Sequence, residues 1–196
     1  MVSYLKYCSV FCFIILTFAQ VGLANDYYPL IEGTSWKFKD SNNKLIIKKV
    51  IKEEKIGYYP SVLIEVSDDK SLISTEHVGV TSEGVFRYAL DGRRYDQGIL
   101  LLKNKIKSGD QWSINLVPSG SKIGTEIKVS EEDISVPLGK FKCFVTTISG
   151  KDDKGIVFQL KNYFAEKVGV VKVTIEKDGK SFYDLQLVEY LSSGNK

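Results

Sequence analysis

The sequence predicts a mainly β protein whose short antiparallel strands follow one another along the chain. Three observations predict this fold class. Apolar and polar residues alternate at a period of two, tight-turn signals separate the alternating segments, and the two halves of the chain repeat one order of Gly and Trp residues. With 196 residues, 43% of them hydrophobic, the chain is long enough to bury one core of its own.

Residues 1–24 predict a cleavable signal peptide. Lys6 supplies a positive charge, an apolar run follows from Val10 to Ala19, and Gly22-Leu23-Ala24 has the small-x-small pattern of a cleavage site. This run is shorter than the roughly 20 residues of a spanning helix, which argues against a membrane anchor. No later segment is long and apolar enough to span a bilayer, so we expect no membrane span after cleavage. We therefore expect residues 25–196 to form a single β-rich domain that is secreted or periplasmic.

The cysteines agree with this view of the compartment. Cys8 and Cys12 lie at the start and middle of the apolar segment, whereas a lipid-attachment cysteine would stand at its end. The mature chain keeps only Cys143, which leaves no internal disulfide. Alternation places Cys143 between Phe141 and Val145 on an apolar face, where we expect an inert buried thiol. An intermolecular disulfide is the alternative.

Strand alternation is clearest in three segments. Their apolar faces consist of Val62, Ile64 and Val66; Phe86, Tyr88 and Leu90; and Ile123, Thr125, Ile127 and Val129. Asp91-Gly92 and Asp178-Gly179 predict tight hairpins, because Gly tolerates the positive φ of these turns. Ser41-Asn42-Asn43 and Pro118-Ser119-Gly120-Ser121 predict looser turns.

Two segments fit a helix as well as a strand. Ile47, Val50 and Ile51 would also lie on one side of a short amphipathic helix, and Val157 to Phe164 is similarly ambiguous. We predict strands for both, because β-branched residues dominate the first segment and aromatic residues favour a strand in the second.

The two halves of the mature chain repeat the same features in the same order. Gly33-Thr34-Ser35-Trp36 and Gly109-Asp110-Gln111-Trp112 each precede a predicted strand, and a Gly-Val pair follows later in each half. This order predicts two divergent copies of one β-meander, residues 27–100 and 101–191, that share a core. A coincidence of Gly and Trp residues is the alternative.

These residues resemble a group of exported bacterial proteins. Tyr28 to Trp36 is similar to the opening Y-(F/Y)-P-L-x-x-G-x-x-W of that group, and Gly109 to Trp112 continues the resemblance. Val136 to Cys143 is similar to its V-P-x-G-x-F-x-C element, and Val168 to Val171 to a later strand start. The resemblance implies a strongly curved antiparallel sheet, a half-barrel or open barrel comparable with periplasmic lipoprotein carriers. It implies no enzymatic activity, because no catalytic motif defines the group.

Candidates for catalysis and metal binding are few. His77 is the one histidine of the chain. A triad with it would draw on Ser74, Ser82, Asp68 and Asp69. The Gly-x-Ser-x-Gly nucleophile pattern is absent, and one histidine with one mature cysteine supplies too few zinc ligands. We predict no catalytic residue, no metal site and no cofactor.

The charge balance argues against a nucleic-acid partner. The chain has 27 Lys and Arg residues against 24 Asp and Glu residues, a formal net charge of +3. The basic residues are spread along the chain, so they produce no strong field toward a polyanion.

Aromatic residues, 12% of the chain, are the candidates for ligand binding. Trp36 and Trp112 open the two predicted copies and would either plug the core or line a concave surface. Tyr58 and Tyr59 lie near a turn, where they would either form a rim for recognition or stand at strand ends with hydrated hydroxyls. We predict an exported, non-enzymatic binding or carrier-type module for a lipid-like or other hydrophobic ligand. The alternative is a structural or protein-interaction module of the cell envelope whose core is filled by its own side chains.

Overall fold

The computed structural model describes residues 24–116, 123–151 and 155–194, and every regular element in these ranges is a β-strand. Apart from Ala24, the predicted signal peptide lies outside the described residues, as does the predicted turn at 118–121. Within the same ranges, no helix has the length and hydropathy needed to cross a membrane.

Fourteen strands occur in the described ranges. In chain order they are β1 (Ala24–Asn25), β2 (Tyr28–Pro29), β3 (Ser35–Asp40), β4 (Leu45–Ile56), β5 (Tyr59–Ser67), β6 (Leu72–Val80), β7 (Gly84–Leu90), β8 (Arg93–Lys103), β9 (Gln111–Leu116), β10 (Ile123–Val136), β11 (Gly139–Lys151), β12 (Val157–Ala165), β13 (Gly169–Lys177) and β14 (Lys180–Leu191).

Strands β3 to β14 form one antiparallel sheet in the order β8-β7-β6-β5-β4-β3-β14-β13-β12-β11-β10-β9. Chain neighbours pair within β3–β8 and within β9–β14, and β14 joins the two series by pairing with β3, where Leu187 lies opposite Phe38. The sheet curls until its edge strands β8 and β9 lie next to each other without pairing, and we call this junction the seam. The Trp112 indole N–H donates across the seam to the Leu100 carbonyl (3.1 Å). The prediction of a mainly β, strongly curved antiparallel sheet is confirmed, in the form of an open barrel.

The predicted tight turns are present. Asp91 and Gly92 have φ values of 49° and 75°, and Asp178 and Gly179 have 48° and 72°. Positive φ at both central residues is the type I′ geometry, whose twist matches that of the flanking strands. The two ambiguous segments are strands, β4 and β12, as predicted.

The two Gly-x-x-Trp segments adopt the same local geometry. Gly33 and Gly109 have φ values of 85° and 87°, a region that disfavours residues with a Cβ. Gly33 donates its N–H to the carbonyl of Val50 in β4, and Gly109 donates its N–H to the carbonyl of Val129 in β10, each over 2.9 Å. Each valine donates back, also over 2.9 Å, to the residue after the glycine. Two copies of one meander remain a prediction, and this matched geometry supports it.

The segment before β3 supplies part of the core. Tyr28 and Leu30 are 3% and 2% exposed. The Tyr28 ring centroid lies 6.2 Å from that of Trp36 and 6.1 Å from that of Phe164, so this segment packs against strands from both halves of the sheet. Aromatic pairs at such distances contribute stability beyond their buried area.

Cys143 is a free cysteine in β11 and is 1% exposed, which agrees with the apolar face predicted for it. Burial, with a smaller contribution from Asp133 and Glu132, raises the pKa of its thiol to about 12. Because the thiolate is the reactive form, the native thiol is expected to be inert.

We expect iodoacetamide at about pH 8 to alkylate Cys143 at least about 100-fold more slowly in the native protein than in the urea-unfolded chain. Burial keeps the thiol protonated and prevents the reagent from reaching it. Mass spectrometry of timed samples measures the rate. Ser108→Cys, at an exposed position, is the control and should react at the unfolded rate. Equal native rates at the two positions would contradict the prediction.

Candidate functional site

A cavity of about 300 Å³ lies inside the barrel. Alternate residues of a strand point to the same side of a sheet, so one inward row from each strand forms the wall. Most of the lining is apolar and includes Phe38, Ile46, Ile127, Ile148, Leu160 and Leu185. The concave face of the sheet therefore encloses open space as well as packed side chains.

Three charged side chains meet in one part of the cavity wall. Lys48 of β4, Glu76 of β6 and Arg87 of β7 form this charge cluster. The Lys48 ammonium donates to Oε1 of Glu76 over 2.9 Å. Arg87 contacts Oε2 of Glu76 through Nε at 2.8 Å and through Nη2 at 2.7 Å. Glu76 is thus held between two cations.

The charge cluster is largely buried but remains ionised. The side chains of Lys48, Glu76 and Arg87 are 16%, 8% and 27% exposed, and all three line the cavity. Burial alone would raise the pKa of Glu76, but the charges and hydrogen bonds of Lys48 and Arg87 outweigh it and lower that pKa to about 2. Burial alone would lower the pKa values of Lys48 and Arg87. The negative charge of Glu76 outweighs the effect of burial, so both pKa values are raised. At neutral pH the cluster carries a net charge of +1.

The other polar residues of the cavity wall are neutral in the described part of the chain. Thr146 and Asn162 lie opposite each other on β11 and β12. The Lys48 ammonium lies 5.5 Å from the centroid of the Tyr28 ring, a cation–π distance. The wall therefore combines a large apolar surface with one positively charged region.

A groove runs along the seam between β8 and β9, with a volume of about 610 Å³. Ile99 and Ile114 line both this groove and the cavity, so the two spaces adjoin. Trp112 lies in the groove, and the Lys103 ammonium is 5.1 Å from its ring centroid. The seam is therefore a side of the barrel where the cavity adjoins a groove on the surface.

The four aromatic residues predicted for ligand binding lie in three places: the core, the seam groove and the turn between β4 and β5. Trp36 is 2% exposed and donates its indole N–H to a backbone carbonyl, while Trp112 lines the seam groove. Tyr58 is 98% exposed in the turn after β4, and Tyr59 stacks on Tyr88 with ring centroids 4.4 Å apart. None of the four is among the described residues that line the cavity, and ligand binding by them stays a prediction.

Three of the residues from which a triad was drawn, His77, Ser74 and Asp68, contact other groups instead of one another. His77 faces away from the cavity, and its Nε2 contacts the Glu54 carboxylate. Ser74 donates its hydroxyl to Asp91 over 2.8 Å. Asp68 accepts the backbone N–H groups of its own turn. In residues 24–116, 123–151 and 155–194, no three His, Cys, Asp or Glu side chains are placed to hold a metal ion.

Sequence reasoning missed the charge cluster, and β7 shows why. The alternation predicted Phe86, Tyr88 and Leu90 as the buried face, but Arg87 of the opposite face lines the cavity. The outer face of β7 carries a stack of rings, with centroids of Phe86 and Tyr88 6.0 Å apart. Gly98 of β8, at a φ of 69°, lets the Tyr88 ring lie against its backbone, where a Cβ would come within 2.8 Å. Both faces are thus apolar, and hydrophobicity does not distinguish them.

No protein-family model and no curated protein matches the sequence. Among solved structures, two are similar. A candidate exported protein of Bacteroides fragilis with a YmcC-like fold has a TM-score of 0.50 at 13% identity, over 86% of this chain and 100% of that one. A candidate lipoprotein of Parabacteroides distasonis has a TM-score of 0.45 at 14% identity, over 86% and 99%. At such identity, the similarity to the Bacteroides fragilis protein shows a shared fold.

Proposed function

We propose that this protein is an exported, non-enzymatic binding module that holds a hydrophobic ligand inside its open barrel. The observation that carries the proposal is the internal cavity of about 300 Å³. Small-molecule sites are concave, mostly apolar spaces of roughly 300–1,000 Å³ with a few polar groups. The cavity lies at the lower end of this range and has that composition.

Export is supported by two independent features. Residues 1–24 have the charge, apolar run and cleavage pattern of a secretory signal. The fold is shared with a candidate exported protein of Bacteroides fragilis. We propose the periplasm or the extracellular space as the place of function.

We expect the ligand to reach the cavity through the seam. Every other pair of neighbouring strands in the sheet is joined by backbone hydrogen bonds within the described residues, whereas β8 and β9 are not paired. Ile99 and Ile114 stand between the seam groove and the cavity, so a small displacement of these side chains would connect the two.

The cavity also bears on the alternative, an envelope module whose core is filled by its own side chains. That alternative requires an inner face without room for a ligand. Interiors of proteins pack at the density of organic crystals and rarely leave voids much larger than a water molecule. A space of about 300 Å³ therefore favours the binding module.

Filling the cavity is expected to abolish ligand binding. We expect the mature chain to bind the neutral probe N-phenyl-1-naphthylamine saturably, with enhanced fluorescence. Leu160→Trp, which adds a larger ring to the cavity wall, should weaken binding at least about tenfold, since the ring takes the ligand's space. A fluorescence titration measures both dissociation constants.

Leu191→Trp is the matched control, because Leu191 is 57% exposed outside the cavity, and it should bind like the wild type. Circular dichroism establishes that both variants are folded. Absence of saturable binding to the wild type would refute the proposal, and so would equal binding by a folded Leu160→Trp variant.

A further inference from the structure

The charge cluster leaves one positive charge without a partner inside the barrel. Lys48 and Arg87 are cationic and Glu76 is anionic, while the remaining cavity-lining residues of the described chain are neutral. Removing a charge from water is costly unless it is paired, so buried charges in proteins are normally balanced. An anion within the cavity would restore this balance.

Arg87 has hydrogen-bond donors to spare for such an anion. Glu76 engages its Nε and Nη2, and no other described residue accepts a hydrogen bond from its guanidinium. The side chain keeps 27% of its surface exposed while it lines the cavity, so part of the guanidinium faces the open space. A guanidinium has five N–H groups in a planar fork that matches carboxylate and phosphate oxygens.

Apolar side chains line the wall across the barrel from the charge cluster. The cluster stands on β4, β6 and β7, whereas Ile127, Ile148 and Leu160 line the cavity from β10, β11 and β12. A ligand that reaches both regions must have a charged end and an apolar end. The volume of about 300 Å³ suits one alkyl chain better than two, since it lies at the lower end of the range for small-molecule sites.

We propose that the ligand is a single-chain amphiphile with an anionic head group, carboxylate or phosphate, bound by Arg87 and Lys48 with its chain against the opposite wall. This inference rests on the proposed function, because it specifies the ligand of the same cavity. Glu76 orients the two cations and keeps them charged.

Competition against N-phenyl-1-naphthylamine with matched ligands tests the head group on the unaltered mature protein. At neutral pH we expect decanoate and decyl phosphate to displace the probe at concentrations at least about tenfold lower than decan-1-ol, because a hydrogen bond to a charged group is worth that factor or more. Acetate and inorganic phosphate carry the anionic group without an alkyl chain, so they should not displace the probe.

The outcomes separate the two proposals. Equal displacement by decanoate and decan-1-ol overturns the anionic head group but leaves the hydrophobic binding module standing. Absence of saturable probe binding overturns both. Saturable probe binding without displacement by decanoate or decyl phosphate overturns the anionic amphiphile. Displacement by acetate or inorganic phosphate at the concentrations effective for decanoate shows a site for free anions and overturns the amphiphile.

A variant assigns the preference to Arg87. Arg87→Gln should weaken decanoate binding at least about tenfold while leaving decan-1-ol unchanged, because only the charged head group loses its partner. Lys180→Gln removes the same charge at an exposed position and should leave both affinities unchanged. If a folded Arg87→Gln variant keeps the wild-type preference, Arg87 does not bind the head group. If the variant does not fold, the comparison of decanoate with decan-1-ol on the unaltered protein decides whether the cavity prefers an anionic head group.

Discussion

Replacing Glu76 by Gln is expected to lower the free energy of unfolding by about 3–5 kcal/mol, since breaking a buried ion pair leaves its partners charged and uncompensated. Two cations depend on Glu76, Lys48 at 2.9 Å and Arg87 at 2.7 Å. The neutral amide keeps the size of the side chain but can neutralise neither of them. Urea unfolding followed by circular dichroism measures the loss.

An exposed ion pair supplies the control for this substitution. Glu189 pairs with Lys37 over 2.7 Å, but the side chains are 46% and 34% exposed. Exposed pairs contribute at most about 1 kcal/mol, so Glu189→Gln should change stability little. Similar losses for Glu76→Gln and Glu189→Gln would mean that water solvates the charge cluster, which would contradict the burial described for it.

The same carboxylate should make the protein sensitive to acid. The pKa of Glu76 is lowered from its ordinary 4.5 to about 2 in the folded state, by Lys48 and Arg87 against the opposing effect of burial. A group with a lowered folded-state pKa stabilises the protein above its unfolded-state pKa and loses that contribution as pH falls toward the folded-state value. Between these two pH values, the wild type should therefore lose more stability than Glu76→Gln does, as urea unfolding at stepped pH would show.

Replacing Trp36 by Ala is expected to cost about 3–5 kcal/mol, the usual loss for a buried aromatic residue truncated to Ala. Trp36 is 2% exposed, its ring centroid lies 6.0 Å from that of Tyr190, and its indole N–H is bonded to a backbone carbonyl. The truncation therefore removes packing and leaves a buried carbonyl without its donor.

Trp112 is the matched comparison, because it occupies the corresponding position in the second Gly-x-x-Trp segment. Its ring is partly buried in the seam groove, so Trp112→Ala should cost at most about 2 kcal/mol, in line with the smaller area that it removes from water. Urea unfolding of the two variants under one set of conditions measures the difference. Equal losses would show that the seam side of the barrel is packed as tightly as its core.

The features that follow from local physics were predictable. Type I′ turns at Asp91-Gly92 and Asp178-Gly179 need only two residues that tolerate positive φ. The strands β4 and β12 follow from β-branched and aromatic residues, which fit a pleated surface. Cys143 is buried as its apolar neighbours in the strand indicated.

The charge cluster was not predictable in the same way. Lys48 is 28 residues from Glu76, and Glu76 is 11 residues from Arg87. In the sequence, each looks like an ordinary charge on the wetter face of a strand. They meet because β4, β6 and β7 lie close together in one sheet that curls with this face inward. For β7 the pattern indicated the opposite face, because a stack of aromatic rings makes its outer side apolar as well.

By itself, the sequence determined that this is an antiparallel β protein with tight turns at Asp91-Gly92 and Asp178-Gly179, because alternation and turn geometry act over a few residues. Only the tertiary structure decided that the sheet curls around a cavity, that one Gly-x-x-Trp tryptophan lies in the core and the other at the seam, and that two cations share one carboxylate within. Those results depend on which strands become neighbours when the sheet curls. That choice is made by contacts between residues far apart in the chain.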